Sequence, residues 1–428
     1  MMNIREIAIE KKWFVRKILP AVNLFSVFLL LTTGTFAQQV EIQVPDRKPL
    51  KTVGSFAIDA GDYVYISGQG PQRPDGSVPG DFDAQATQAL ENVKAIVVAA
   101  GLSMEHVVYV QVYLEDVSNY EHLNNVFTKY FPHTPPARAV FGVARVPQLS
   151  IEMTAVAVRD LTERKAVIPA NYKTVEPFSP GILTHDRLFV SAMQGQDPRS
   201  GAVPDDPAAQ TNLALDGLKA VVEAAGLKLS HMVFVNPYLT QKIPMEQMNE
   251  QYARRFEFGN TPARATIQVS ALPGNAQIEY TGVAVRDLSL RRAIRPKNMP
   301  PSPTASPCVF AGDTLYCSAK SGFIPGPHGG VYGNSTAVQL RQTMRNQLDN
   351  LEEASLDFSQ VVSTTVYLDN ISESQAFNKV YSEYFKAPPP AQTMVQQLPS
   401  TSRSPDAEGH FPDLEQMSLI AVKRPPKN

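Results

Sequence analysis

Two arginines in near-identical settings are the first candidates for chemistry. Arg138 lies in Thr134-Pro-Pro-Ala-Arg138-Ala-Val and Arg264 in Thr261-Pro-Ala-Arg264-Ala-Thr, each just after a proline break and at the start of a strand-like run. A guanidinium presents a planar fork of donors that matches a carboxylate, so an arginine at the mouth of a cleft suits a small carboxylate ligand. In the same place it could instead make a structural ion pair with a neighbouring domain. Glu152 and Glu279 share a second slot, in Ile151-Glu152-Met-Thr-Ala-Val-Ala-Val158 and Ile278-Glu279-Tyr-Thr-Gly-Val-Ala-Val285. A carboxyl shielded from water by its apolar neighbours can exchange protons near neutral pH, whereas strand alternation equally allows it to face solvent. Ser67 and Ser191 could donate hydrogen bonds to a ligand or water. Asn124 and Asn249 could face a cleft from a helix or lie exposed on it. No metal-ligand spacing, phosphate loop or serine triad stands out, so neither a metal nor a cofactor is expected.

These pairs belong to an internal repeat. A third, weaker copy reads Pro388-Pro-Pro-Ala-Gln392-Thr-Met and later Gln416-Met-Ser-Leu-Ile-Ala-Val422, with a polar stretch, Ser400 to Gly409, inserted as an expected loop. Ser67, Ser191 and Ser318, and Asn124, Asn249 and Asn378, recur at matching offsets. Gly61-Asp62 signals a hairpin turn before a strand at Tyr63 to Ser67. Ala86, Leu90, Val93 and Val97 share one face of a helix expected over Asp83 to Ala100, capped by Asp83 and ended by Gly101. Val108, Val110, Val112 and Leu114 alternate with Tyr109, Gln111 and Tyr113 as in a strand. A helix over Tyr120 to Phe131 is broken by Pro135 and Pro136, and strands follow at Ala137 to Ala144 and Ile151 to Val158. The unit is α+β, a largely antiparallel sheet whose two helices cover one face.

The pattern resembles the Rid family, also called the YjgF or UK114 family. The resemblance is carried by Ile66-Ser67-Gly68-Gln69, Asn92-Val-Lys-Ala-Ile-Val97 with Ala99-Ala-Gly101, Pro136-Ala-Arg138, Val143-Ala-Arg-Val-Pro147 and Ile151-Glu152 with Ala155-Val-Ala-Val158. It implies a chorismate-mutase-like fold in three tandem copies that form an intramolecular pseudo-trimer, and hence a monomeric chain with ligand clefts between copies. It also implies that Arg138 and Arg264 hold a substrate carboxylate, with Glu152 and Glu279 as proton carriers in hydrolysis of small 2-imino or 2-enamino acids to 2-oxo acids and ammonia. Ser67, Gly68, Ser191, Asn124 and Asn249 would contribute to the same clefts. A ligand-contacting tyrosine of the family is matched by Phe56 and Phe178, which lack the hydroxyl, and a position often held by cysteine is Val140 or Thr266. In the third copy Gln392 and Gln416 replace arginine and glutamate, so that copy is expected to be structural. The alternatives are a small-carboxylate-binding or chaperone-like protein without chemistry, and a ribonuclease.

The chain has 428 residues, with 39 Lys+Arg against 41 Asp+Glu. Arg5, Lys11, Lys12, Arg16 and Lys17 precede an apolar run from Ile18 to Leu31, and Thr35-Phe36-Ala37 supplies small residues for a signal peptidase. Pro20, Asn23 and Ser26 interrupt a run already too short for a membrane span, so a cleaved leader at 1–37 and a secreted or periplasmic product without a stable membrane anchor are expected. Loss of the leader removes five basic and two acidic residues and leaves a formal charge near -5, which argues against nucleic acid as partner and against the ribonuclease. The expected domains are 38–160, 161–288 and 289–428, joined by linkers near Asp160 to Pro177 and Arg286 to Pro307. The two cysteines, Cys308 and Cys317, flank the Gly312-Asp313 turn as direct cross-strand neighbours, a placement that allows a disulfide or two buried thiols.

Overall fold

Hairpin, helix, strand, helix and two closing strands recur three times in the computed structural model, which describes residues 39–45, 53–170, 172, 177–326, 330–398 and 404–423. The leader expected at 1–37, with Trp13, lies outside the described residues. In the first copy the hairpin strands are Ala57–Asp59 and Tyr63–Gln69. Gly61 turns between them at φ 98°, where any side chain would be strained. Helix α1 (Phe82–Ala99), the strand Val107–Leu114, helix α2 (Tyr120–Tyr130) and the strands Ala137–Gly142 and Ile151–Val158 follow. Because α2 carries the chain back along the sheet, Val107–Leu114 pairs parallel with Ala137–Gly142, while every other pairing in this sheet is antiparallel.

The second copy has the hairpin Gly181–Leu183 and Arg187–Gln194, helices α3 (Pro207–Ala224) and α4 (Met245–Ala253), and the strands Met232–Leu239, Ala263–Arg264, Ile267–Gln268 and Ile278–Val285. The third has Cys308–Ala311 and Thr314–Ser321, α5 (Thr336–Glu353), Val361–Leu368, α6 (Ser374–Tyr384), Ala391–Gln396 and Glu415–Val422. In each sheet the closing strand lies between the hairpin and the central strand.

The helices cover one face of each sheet. On α1, Ala86, Ala89, Leu90, Val93, Ile96 and Val97 are buried against Val64, Ile66, Val110 and Val112, and each fully buried Val or Leu contributes roughly 1.5–3 kcal/mol. The helix-free faces pack on one another: Tyr113 and Phe141 of the first copy share a cluster with Tyr238 of the second and Tyr367 of the third. At the edges, Ala137–Gly142 contacts Arg187–Gln194, Ala263–Arg264 contacts Thr314–Ser321, and Ala391–Gln396 contacts Tyr63–Gln69, so the contacts run from first to second to third copy and back to the first. Among the described residues no helix is long and apolar enough to cross a membrane.

Several local expectations need correction. Asp81 caps α1, its carboxylate accepting from the Ala84 amide at 2.9 Å, and Asp83 sits in the first turn beside His122. A bulge between Val107 and Tyr109 shifts the strand alternation, so Val107 joins Val110 and Val112 against the helices while Val108 faces the neighbouring copies. The linkers are partly sheet: Lys165–Val167 pairs with Gly181–Leu183, and Arg291–Ile294 with Cys308–Ala311. The described part of the inserted stretch, from Ser404 to Gly409, has neither helix nor strand. Cys308 and Cys317 are cross-strand partners joined by a disulfide, with Cα atoms 4.0 Å apart.

Candidate functional site

Each arginine slot opens a strand that abuts the hairpin of the next copy. At the first junction the Ser179 amide donates to the Pro136 carbonyl at 3.2 Å, and at the second the Ser306 amide donates to Pro262 at 3.1 Å. The third junction repeats the bond between Ser55 and Pro390 at 3.2 Å. Ser191 locks this seam: its hydroxyl donates to the Ser179 carbonyl at 2.6 Å and accepts from the Arg138 amide at 2.7 Å. Ser318 does the same with Ser306 and Arg264. The Ser67 hydroxyl donates to the Phe56 carbonyl at 2.9 Å. Ser67 and Ser191, expected as ligand donors, here give their hydroxyl protons to backbone carbonyls.

Arg138 is buried, 2% exposed, and its Nη2 donates to Asn124 Oδ1 at 2.7 Å and to the Tyr120 hydroxyl at 3.3 Å. Its guanidinium lies 4.7 Å from the Phe127 ring centroid and 5.1 Å from that of Phe178. Asn249 plays the part of Asn124 in the second copy, accepting from Arg264 Nη1 at 2.8 Å. The asparagines thus aim the arginines. In the third copy Gln392 takes the arginine slot, 3.5 Å from Asn378.

The equal placing of Ser55 and Ser179 also corrects the pairing of Phe56 with Phe178. Ser67 bonds the Phe56 carbonyl through its amide, as Ser191 bonds Pro180, so Phe56 corresponds to Pro180, and Phe178 corresponds to Gly54. A Cβ at Gly54 would sit 2.8 Å from that of Gln392. The third junction closes where the first carries an aromatic ring.

Glu152, Glu279 and Gln416 occupy one register, opposite Tyr113, Tyr238 and Tyr367. The slot faces the preceding copy. Glu279 lines a cleft of about 160 Å³ with Arg138, Tyr120, Val140, Phe178 and Gln194. Gln416 and Thr266 line a second cleft with Arg264, and by the same register Glu152 belongs to the junction that holds Gln392. Of the four residues expected to do chemistry, only Arg138 and Glu279 share a cleft. Glu152 lies against Gly68, whose missing Cβ would come within 2.0 Å of Oε1.

Burial raises the Glu279 carboxyl to about 8, partly offset by the Gln194 amide, which approaches Oε2 at 3.5 Å. Among the described residues Oε1 accepts no hydrogen bond. Burial likewise raises Glu152 to about 8. A buried arginine and a carboxyl protonated at neutral pH in one small cleft can bind a carboxylate and pass a proton to the atom beside it.

Sequence reasoning missed Tyr120, Gln194 and Lys320. Alignment on Ser67, Ser191 and Ser318 places Lys320 where the earlier copies have Gln69 and Met193, which was the available signal. It also missed Glu415, which faces α5, accepts from Thr343 and is raised to about 8 by burial. Asp406, Glu408 and His410, all exposed, come together at the end of the inserted stretch and just beyond it.

Three tandem α+β units, with the arginines of the first two in clefts shared with the next unit, define the class of protein. A family model described as Endoribonuclease L-PSP matches residues 49–159, 169–286 and 298–401. The chain belongs to this family, the Rid family of the sequence resemblance, as three Rid-like domains in tandem. It is 40% identical over 115 residues to a RutC family protein of Pyrococcus horikoshii, covering 26% of this chain and 91% of that protein. It is 41% identical over 107 residues to the Escherichia coli protein named "Putative reactive intermediate deaminase TdcF", covering 24% and 83%. The solved structure of E. coli TdcF with bound serine aligns at 36% identity and a TM-score of 0.27, covering 28% of this chain and 98% of that one.

Proposed function

We propose that this chain is a Rid-type hydrolase that converts small 2-imino or 2-enamino acids to 2-oxo acids and ammonia in the single cleft between its first and second copies. The observation that carries the reading is the meeting of Arg138 with Glu279. Arg138, held by Asn124 and Tyr120, binds the substrate carboxylate. Glu279 enters protonated, gives its proton to the imine nitrogen, and as carboxylate takes a proton from the water that adds to the imine carbon. It then protonates the amine of the carbinolamine. The carbon–nitrogen bond breaks as the hydroxyl becomes a carbonyl, its proton returns to Glu279, and ammonia departs.

The three copies, on this reading, form an intramolecular pseudo-trimer, supported by the cyclic order of contacts between them. The chain is exported and cleaved near Ala37, a reading supported by the basic and apolar pattern of residues 1–37. N-terminal sequencing of the exported protein tests it, and an intact N terminus would overturn it.

The activity is tested by supplying a 2-imino acid as it forms from an amino-acid oxidase and following ammonia release. Acceleration by the wild type and its loss in Glu279→Gln are expected. A second reading, carboxylate binding without chemistry, is favoured by Phe178, which places a ring over Arg138 but no hydroxyl. Tight carboxylate binding with no acceleration would select it.

A further inference from the structure

Among the side chains by which the junction of the second and third copies differs from the first, three change its charge and its cover. Gln416 replaces the acid, Ala305 stands where Phe178 covers Arg138, and Lys320 stands where Met193 lines the first cleft. The resulting cleft, of about 360 Å³, contains Arg264 and Lys320 and has no acidic residue in its wall. The polar contacts of the Arg264 guanidinium are neutral: Asn249 Oδ1 at 2.8 Å and Met248 Sδ at 3.9 Å, with the Tyr252 ring centroid 5.0 Å away. Among the described residues the half-buried Lys320 has neither an ion pair nor a hydrogen bond. The cleft continues past Lys320, Met299 and Pro300 into a wider groove whose wall holds Tyr332 and the ion pair of Arg345 with Asp349, 3.0 Å apart.

Burial disfavours the charge of both cations, and the wall of the cleft offers neither of them an anion. A ligand with one anionic group satisfies only one of them. We propose that this second cleft binds a small dicarboxylate without hydrolysing it, one carboxylate on the fork of Arg264 and the other on the ammonium of Lys320. Lys320 is thereby the residue that sets specificity for two charges over one. The absence of a carboxyl in the Glu279 slot leaves that position without a group to carry the proton. Binding here does not depend on turnover in the first cleft.

Isothermal titration of the full chain with glutarate and with butyrate tests this, carried out in an Arg138→Gln background so that the first cleft is silent. Glutarate is expected to bind at least about tenfold more tightly than butyrate, the loss typical of one charge-assisted contact. Lys320→Gln and Lys320→Met should both bring glutarate down to the butyrate level, Lys320→Arg should restore the preference, and Arg264→Gln should abolish binding of both. Equal affinities in the parent, or a preference that survives Lys320→Gln in a chain with an unchanged melting temperature, would overturn the proposal. Ammonia release by Lys320→Gln with Arg138 intact is read separately: its loss would count against hydrolysis confined to the first cleft and leave the glutarate result standing.

Discussion

Arg138 from the first repeat and Glu279 from the second line one cleft, although both of these repeats carry their own arginine and their own glutamate. The pair is made by the contact of neighbouring repeats and by no repeat alone.

Substitutions should therefore divide by cleft. Arg138→Gln removes a charge-assisted contact of about 1.5–3 kcal/mol and should lower kcat/KM for imine hydrolysis by roughly tenfold or more. Arg264→Gln and Glu152→Gln should leave it within about twofold of wild type. Steady-state ammonia release checks this, and equal losses in Arg138→Gln and Arg264→Gln would contradict a single catalytic cleft.

Glu152, Glu279 and Glu415 are each raised by burial to about 8, so the folded chain holds protons that the unfolded chain releases at its ordinary carboxyl value. Between about pH 4.5 and 8 the folded state binds more protons, and stability falls as pH rises through that window. Glu415→Gln, outside both arginine clefts, should flatten the fall and melt above wild type at pH 8 but not at pH 5. Denaturant titrations at the two pH values read the difference directly.

Gly68 and Glu152 should couple. Gly68→Ala forces a methyl against the carboxyl and should cost on the order of 1–3 kcal/mol, whereas Gly68→Ala with Glu152→Ala should cost clearly less than the two single changes added. A double-mutant cycle from urea unfolding measures the coupling, and additivity would mean that the side chain moves aside freely.

The edge that would recruit a neighbouring chain is already paired within this one, at all three junctions. Light scattering should return the mass of a single chain, independent of concentration over the micromolar range. A stable trimer of chains would mean that the copies pair between molecules.

The order of elements in each repeat was legible in the sequence because it is local: the spacing of Ala86, Leu90, Val93 and Val97 defines a helix face, and Gly61-Asp62 and Pro135-Pro136 punctuate it. The cross-strand placing of Cys308 and Cys317 was legible for the same reason, since a two-residue turn sets the register on both sides. Asn124 and Asn249 were visible as repeated residues, yet their work of aiming arginines depends on a strand reached only after the proline break. The bulge at Val108 and the slip between Phe56 and Phe178 were hidden, because one residue gained or two displaced leaves composition and period nearly unchanged. Which glutamate meets which arginine, and that Lys320 takes a place beside Arg264, was decided only by tertiary structure. The physical reason is that these side chains meet across junctions where the edge of one copy packs on the hairpin of the next, a contact that no spacing along the chain encodes.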